Sequence, residues 1–198
     1  MELSPELQIA PVSERYAIEA YLGRGSRSLV FKAFDRRNGV MVALKSLVFA
    51  QGEDIVRFKR EFRELGKLSH RNIVALYDLH IDPPQCYFTM EYVEGKDFSS
   101  AVRSNSDFGS RIDYDALNAN ATAVVSALQT VHAHGRVHLD VKPSNVLVSS
   151  AHRVVVLDFG LAALATPPGR TTPTGRAGTL AYMCPEQAAG APPAPEFD

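Results

Sequence analysis

Residues 137–147 read VHLDVKPSNVL, and residues 157–162 read LDFGLA. Two short apolar runs, Val146–Val148 and Val154–Leu157, frame the polar residues between them. Asn145 stands just before the first run and Asp158 just after the second, so two strands here would bring both side chains to one cleft. Asn and Asp side chains both offer hard oxygen atoms. Asp140 and Lys142 add a carboxylate and an ammonium within the same stretch.

Working outward toward the N-terminus, Tyr114 to His134 is rich in Ala and Leu at apolar spacing and reads as a core helix. From Gly95 onward the character is helical. Before it, five strand-like runs are legible: Tyr16–Leu22, Leu29–Asp35, Val40–Leu47, Ile73–Ile81 and Cys86–Tyr92. Asn38-Gly39 is a hairpin turn signal, and Asp82-Pro83-Pro84 splits the last two runs. Asp54 to Leu68 carries Ile55, Phe58, Phe62 and Leu65 at helical spacing, an amphipathic helix. Toward the C-terminus, the Pro-, Gly- and Thr-rich stretch TPPGRTTPTGRAG reads as a mobile loop. The expected organisation is a polar leader at 1–13, a β-rich lobe at 14–93 and a partial, mainly helical lobe at 94–198. The fold class is α+β.

In LGRGSRSLVFK, Gly23 and Gly25 lie between two strands, where backbone N–H groups can approach a phosphate with no Cβ in the way. The segment leads into a strand, which excludes a Rossmann turn. Lys45 ends VALK within an apolar strand, and a buried ammonium needs an anionic partner. ATP phosphates and a helix carboxylate are both candidates. Of the two glutamates in RFKREFREL, Glu61 shares the apolar face with Phe58, Phe62 and Leu65, whereas Glu64 lies off it. His70, in LSHRN, reads as a tie between helix and strand, and His132 and His134 as residues suited to a helix C-terminus.

VHLDVKPSNVL and LDFGLA resemble the catalytic loop and magnesium-binding motif of protein kinases. The resemblance runs from about Tyr16 to Asp198, through about ten positions in the right order. It implies a two-lobed kinase fold with ATP and Mg2+ as cofactors. Asp140 would accept the substrate hydroxyl proton, and Lys142 would steady the transferring phosphate. That lysine resembles serine/threonine kinases, so a protein Ser/Thr hydroxyl is the implied substrate. Asn145 and Asp158 would hold the metal. Leu22, Gly23 and Gly25 would cover the nucleotide, and Lys45, with Glu61, would pair its phosphates. Val30, Ala43 and Leu147 would sandwich adenine, with Met90 as gatekeeper and Glu91 and Val93 bonding the ring through their backbone. Leu65, Leu76, His138 and Phe159 would stack as the regulatory spine, and Thr179 would sit by the catalytic loop. MEYVEG, DVKPSNVL and YMCPEQ resemble bacterial-type members in particular.

The sequence departs from that pattern at Leu139, where the family usually has an arginine that receives an activation-loop phosphate. It also stops where the family places the aspartate opening the central helix of the large lobe, at Asp198. A truncated lobe would expose Leu117, Val124 and Leu128.

Composition agrees with an ordinary globular chain: 45% apolar, 22% charged and a net charge of −1. That balance argues against a nucleic-acid binder. No apolar run approaches the length of a membrane span, and the N-terminus lacks the apolar core of a signal peptide. Cys86 and Cys184 lack metal-ligand spacing and read as two reduced thiols in a cytoplasmic protein. The functional reading is a protein serine/threonine kinase; the alternative is a nucleotide-binding pseudokinase that serves as an interaction scaffold.

Overall fold

A computed structural model describes residues 13–25, 28–47, 52–82, 85–106, 109–158, 163–164 and 179–198. The chain forms two compact units. One runs up to Lys67 and includes Ala75–Tyr92; the other comprises Leu68–Val74 and Val93–Asp198. The fold is α+β, with the sheet-rich unit first.

The first unit contains β1 (Tyr16–Arg24), β2 (Ser28–Asp35), β3 (Val40–Leu47), helix α1 (Gly52–Leu65), β4 (Leu76–Asp82) and β5 (Gln85–Glu91). The strands form one antiparallel sheet in the order β1-β2-β3-β5-β4. Alternation along β2 and β3 sorts side chains onto two faces. One face carries Leu29, Phe31, Ala33, Val42 and Leu44, which pack with Tyr16 and Tyr87 into a core. The opposite face carries Val30 across from Lys45, Lys45 across from Phe88, and Ala43 across from Met90. Helix α1 covers that second face: Phe58 and Phe62 lie 4.9 and 5.7 Å from the Phe88 ring. The expected run Ile73–Ile81 divides: its strand starts at Leu76, while Ile73 bridges Val156 in the second unit.

The turn between β2 and β3 is built on Asp35. Its carboxylate accepts from the backbone N–H groups of Arg37 and Asn38, and Gly39 follows at φ +68°. The same carboxylate receives Arg15 through two bonds, Nε at 3.0 Å and Nη2 at 2.7 Å. Arg15 also reaches Asp78 at 2.8 Å. Asp35 is 2% exposed, and the Arg15 bonds lower its pKa from 3.8 to about 2, overcoming the opposing effect of burial. A carboxyl with a depressed folded pKa stabilises fully above its unfolded value and loses that contribution as pH falls through the folded one. The shift corresponds to about 2 kcal/mol. The stability of the first unit is therefore expected to fall between pH 3.8 and about 2. Asp35→Asn is expected to cost about 2 kcal/mol at neutral pH and to flatten that acid limb. Urea melts of both proteins from pH 7 to pH 2 check this, and parallel pH curves would defeat it.

The second unit contains β6 (Gly95–Asp97), the short helix α2 (Phe98–Ala101), the hairpin β7 (Arg103–Ser106) and β8 (Gly109–Ile112), and the long helix α3 (Tyr114–Ala133). These are followed by β9 (Arg136–Val137), β10 (Val146–Ser149), β11 (Val154–Val156), β12 (Ala163–Leu164) and helix α4 (Pro185–Ala188). β6, β10 and β11 make a three-stranded sheet, and β9 pairs with β12. Asp113 caps α3 by accepting from the Ala116 N–H, and Ala127, Leu128 and Val131 are its buried apolar positions. Asn72 ties the 68–74 segment to β11, donating from Nδ2 to the Val154 carbonyl and accepting from the Val156 N–H.

Two expectations are corrected here. The chain is not helical directly after Gly95: a strand and a hairpin precede α3, in a stretch of Ser, Asn, Asp and Gly that favours turns over helix. Leu128 is buried at 7%, while Leu117 and Val124 are half-buried; the exposed large apolar residues of that helix are Tyr114 and Val125. The expected leader up to residue 12 and the Pro/Gly/Thr stretch at 165–178 lie outside the described residues.

Candidate active site

In the second unit, the segment after β9 carries the charged cluster. His138 is fully buried, with Nε2 3.0 Å from the Leu157 carbonyl. Leu139 follows at φ +69°, a left-handed conformation that costs a branched, non-glycine residue energy. The turn delivers Asp140, which is 8% exposed. Lys142 Nζ lies 2.8 Å from Asp140 Oδ2 and donates to Thr179 Oγ1 at 2.7 Å. Thr179 donates to Asp140 Oδ1 twice, from its backbone N–H at 2.8 Å and its hydroxyl at 2.7 Å. Asn145 Nδ2 donates to the Asp140 carbonyl at 2.9 Å and to Oδ2 at 3.0 Å. Burial raises the Asp140 pKa, but the bonds from Lys142 and Thr179 outweigh it and hold the carboxyl below its ordinary value.

Asn145 ends a 3-10 turn, Pro143–Asn145, and is 7% exposed. Its amide nitrogen faces Asp140, so its Oδ1 turns the other way. The Leu157 N–H donates to the Asn145 carbonyl at 2.8 Å, which brings the start of the Asp158 turn to the same loop. Asp158 is half-buried at φ +54°. Leu147 on β10 pairs with Val155 and Asp97. Val93 is half-buried. Among the described residues, no group of three or more His, Cys, Asp or Glu side chains is placed to hold a metal. The Asn145 Oδ1 and the Asp158 carboxylate are hard oxygen donors, the type magnesium accepts at nucleotide sites beside phosphate and water.

The remaining expected residues belong to the first unit. Gly23 pairs with Val30 across β1 and β2, and the Gly25 N–H donates to the Ser28 carbonyl at 2.8 Å. A Cβ on Gly25 would meet Ser28 Oγ, a side-chain atom that can rotate away. Leu22 is exposed at 46%. Lys45 is 7% exposed, its Nζ 5.8 Å from the Phe88 ring centroid. Ala43 and Met90 are cross-strand partners, and Glu91 pairs with Val42 and donates its N–H to the Ala75 carbonyl. The Glu61 side chain and Phe159 lie outside the described residues.

Three residues make supporting contacts that the sequence reading does not assign: Asp198 and His132 are read there by position only, and Gln187 is not singled out. The Asp198 carboxylate is fully buried and accepts from the N–H groups of His138 at 2.7 Å and Leu139 at 2.8 Å. His132 Nε2 lies 2.9 Å from the same carboxylate, so its position near the end of α3 serves a partner beyond the helix dipole. Gln187 donates from Nε2 to the Leu139 carbonyl at 2.8 Å. His70 accepts from the Asn72 N–H and lies 3.3 Å from Ser126 Oγ, so it links its own segment to α3 and not a helix to a strand. Cys86 and Cys184 are free thiols.

Residues 16–198 match the family model described as protein kinase domain. A probable serine/threonine-protein kinase of Clostridium acetobutylicum is 37% identical over 186 residues, covering 91% of this chain and 27% of that protein. The probable serine/threonine-protein kinase PknB of Lactococcus lactis is 34% identical, covering 93% of the chain and 30% of that protein. Serine/threonine-protein kinase PknA of Mycobacterium tuberculosis is 33% identical, covering 99% of the chain and 46% of that protein. The chain thus spans less than half the length of these relatives.

Proposed function

The chain belongs to the protein kinase domain family, and on that premise we propose that the protein transfers the γ-phosphate of ATP to a Ser or Thr hydroxyl of a protein substrate. The observation that carries this reading is the Asp140 cluster, with Lys142, Thr179 and Asn145 all bonded to one carboxylate. Lys142 and Thr179 supply the residue types of a serine/threonine enzyme.

In the proposed step, the substrate hydroxyl oxygen bonds to the γ-phosphorus as the bond to the β,γ-bridging oxygen breaks, and ADP leaves. Asp140 orients that hydroxyl and takes its proton; its depressed pKa keeps it ionised for the task. Lys142 is the cation for the transferring phosphate. Asn145 Oδ1 and Asp158 would hold magnesium, which when bound would neutralise phosphate charge.

In the first unit, Leu22, Gly23 and Gly25 would cover the phosphates and Lys45, the buried cation, would pair them; Glu61 would be the helix carboxylate for that lysine. Val30, Ala43 and Met90 contribute apolar contact to adenine, and Glu91 contributes a backbone bond. In the second unit, Leu147 and Val93 have the corresponding adenine roles. A cytoplasmic setting is consistent with two free thiols. No described helix is long and apolar enough to cross a membrane.

The test is phosphate transfer to a mixed protein substrate with Mg-ATP, followed by phosphoamino-acid analysis. Phosphoserine and phosphothreonine are expected. Phosphotyrosine alone would overturn the substrate class. Nucleotide binding with no transfer would favour the scaffold reading.

A further prediction concerns Leu139, which is buried at 6% and has no guanidinium to receive a phosphate. Thr171→Ala, Thr172→Ala and Thr174→Ala are each expected to keep activity within about twofold. A tenfold loss at any one would show phosphate-dependent activation by another route. Thr179→Ala stands apart, because that hydroxyl bridges Lys142 and Asp140.

A further inference from the structure

The peptide between Leu139 and Asp140 directly precedes the Asp140 Cα, so its plane sets where that carboxylate points. Leu139 is buried at φ +69°, a region that branched L-residues leave readily. Asp198 grips the N–H groups of His138 and Leu139, which belong to the two preceding peptides. The 139–140 peptide needs its own restraints, and it has two. Its N–H donates to His138 Nδ1 at 3.2 Å, and its carbonyl accepts from Gln187 Nε2 at 2.8 Å. Gln187 is well anchored for this: it is 7% exposed, and its own N–H donates to Cys184 Sγ at the cap of α4. Thr179, which lies shortly before α4, grips the Asp140 carboxylate itself. One segment, 179–188, thus holds both the side chain of Asp140 and the peptide that aims it.

We propose that Gln187 is a positioning residue for Asp140: its amide pins the Leu139 carbonyl and locks the left-handed turn in which Asp140 is presented. The activity part of this inference rests on the phosphotransfer reading. With leucine at 139, the turn is held by buried bonds, from the Asp198 carboxylate, His138 and Gln187, instead of a phosphate–arginine pair. Gln187 differs from Asp140 in the kinetics it should govern, because its amide acts on the Leu139 carbonyl and only through that peptide on the Asp140 carboxylate.

The experiment compares Gln187→Met, which keeps length and burial but removes the donor, and Gln187→Glu, which keeps shape and turns an acceptor toward the carbonyl. The parent protein and Asp140→Asn run beside them. Two readouts are taken: kcat and the ATP KM, and the hydrogen exchange of individual backbone amides. Both variants are expected to lose kcat by about tenfold, the factor that goes with one lost buried hydrogen bond, at unchanged ATP KM. The Asp140 amide is expected to exchange about tenfold faster while amides in the middle of α3 keep their rates. Parent-like kcat and parent-like Asp140 exchange would overturn the proposal. Uniformly faster exchange across α3 would overturn it too, by showing that Gln187 serves global stability. If the parent itself transfers no phosphate, the phosphotransfer reading falls, and the exchange readout alone decides whether Gln187 locks the turn.

Discussion

Asp140→Asn is expected to cut phosphate transfer by about 10²- to 10⁴-fold, the range associated with a positioned acid–base group. Nucleotide binding should be nearly unchanged. The substitution is close to isosteric, so its effect follows from donors and acceptors. In the parent, four groups donate to the Asp140 carboxylate: the Thr179 N–H and hydroxyl on Oδ1, and Lys142 and Asn145 on Oδ2. An asparagine keeps one oxygen for Thr179, but its NH2 then confronts the ammonium of Lys142 and the amide of Asn145. The variant loses the proton acceptor and also displaces the lysine. Intact mass after incubation with Mg-ATP gives the readout, and phosphate gain equal to the parent's would remove Asp140 from the chemistry. The pH dependence has a defined sign. The folded pKa lies below the ordinary carboxylate value, so ionised Asp140 is present at and above that value and is lost only as pH falls through the depressed one. The acid limb of the transfer rate should therefore lie below the usual carboxylate range.

What could be read from the sequence divides along a physical line. The strands of the first unit follow from local alternation, and the β2–β3 turn from Asn38-Gly39 with its positive φ. Asp140, Lys142 and Asn145 are near neighbours in sequence, so a loop that folds at all brings them together. Thr179 was legible only by resemblance. Gln187 and Asp198 act across 48 and 59 residues, and nothing in local pattern announces such a bond. The left-handed turn at Leu139 was also hidden, because the residues that signal that conformation are Gly, Asn and Asp. Likewise, the β7–β8 hairpin lacks β-branched alternation and an Asn-Gly turn, so its Ser-rich strands read as no element of their own.

Asp198→Ala is expected to cost the second unit about 3 kcal/mol or more and to reduce transfer at least as far as the Gln187 variants do. The reason is what the alanine leaves behind. Two backbone N–H groups, of His138 and Leu139, would lose their acceptor, and His132 would lose its partner. His138 and Leu139 are 0% and 6% exposed, so water cannot readily take the place of the carboxylate. The contrast with Asp35 sharpens the expectation. Arg15, the main partner of Asp35, is 25% exposed and also bonded to Asp78, so on losing Asp35 it keeps a partner and reaches solvent. The two backbone donors on Asp198 have no such exit. Asp198→Asn should fall between the parent and the alanine variant, since one oxygen can keep one N–H while the amide group opposes the other. Thermal melts, read with the exchange rates of the His138 and Leu139 amides, check the order parent, Asn, Ala. If Asp198→Ala melts with the parent and leaves both amides protected, some other group holds the turn, and the restraint attributed to Asp198 is redundant.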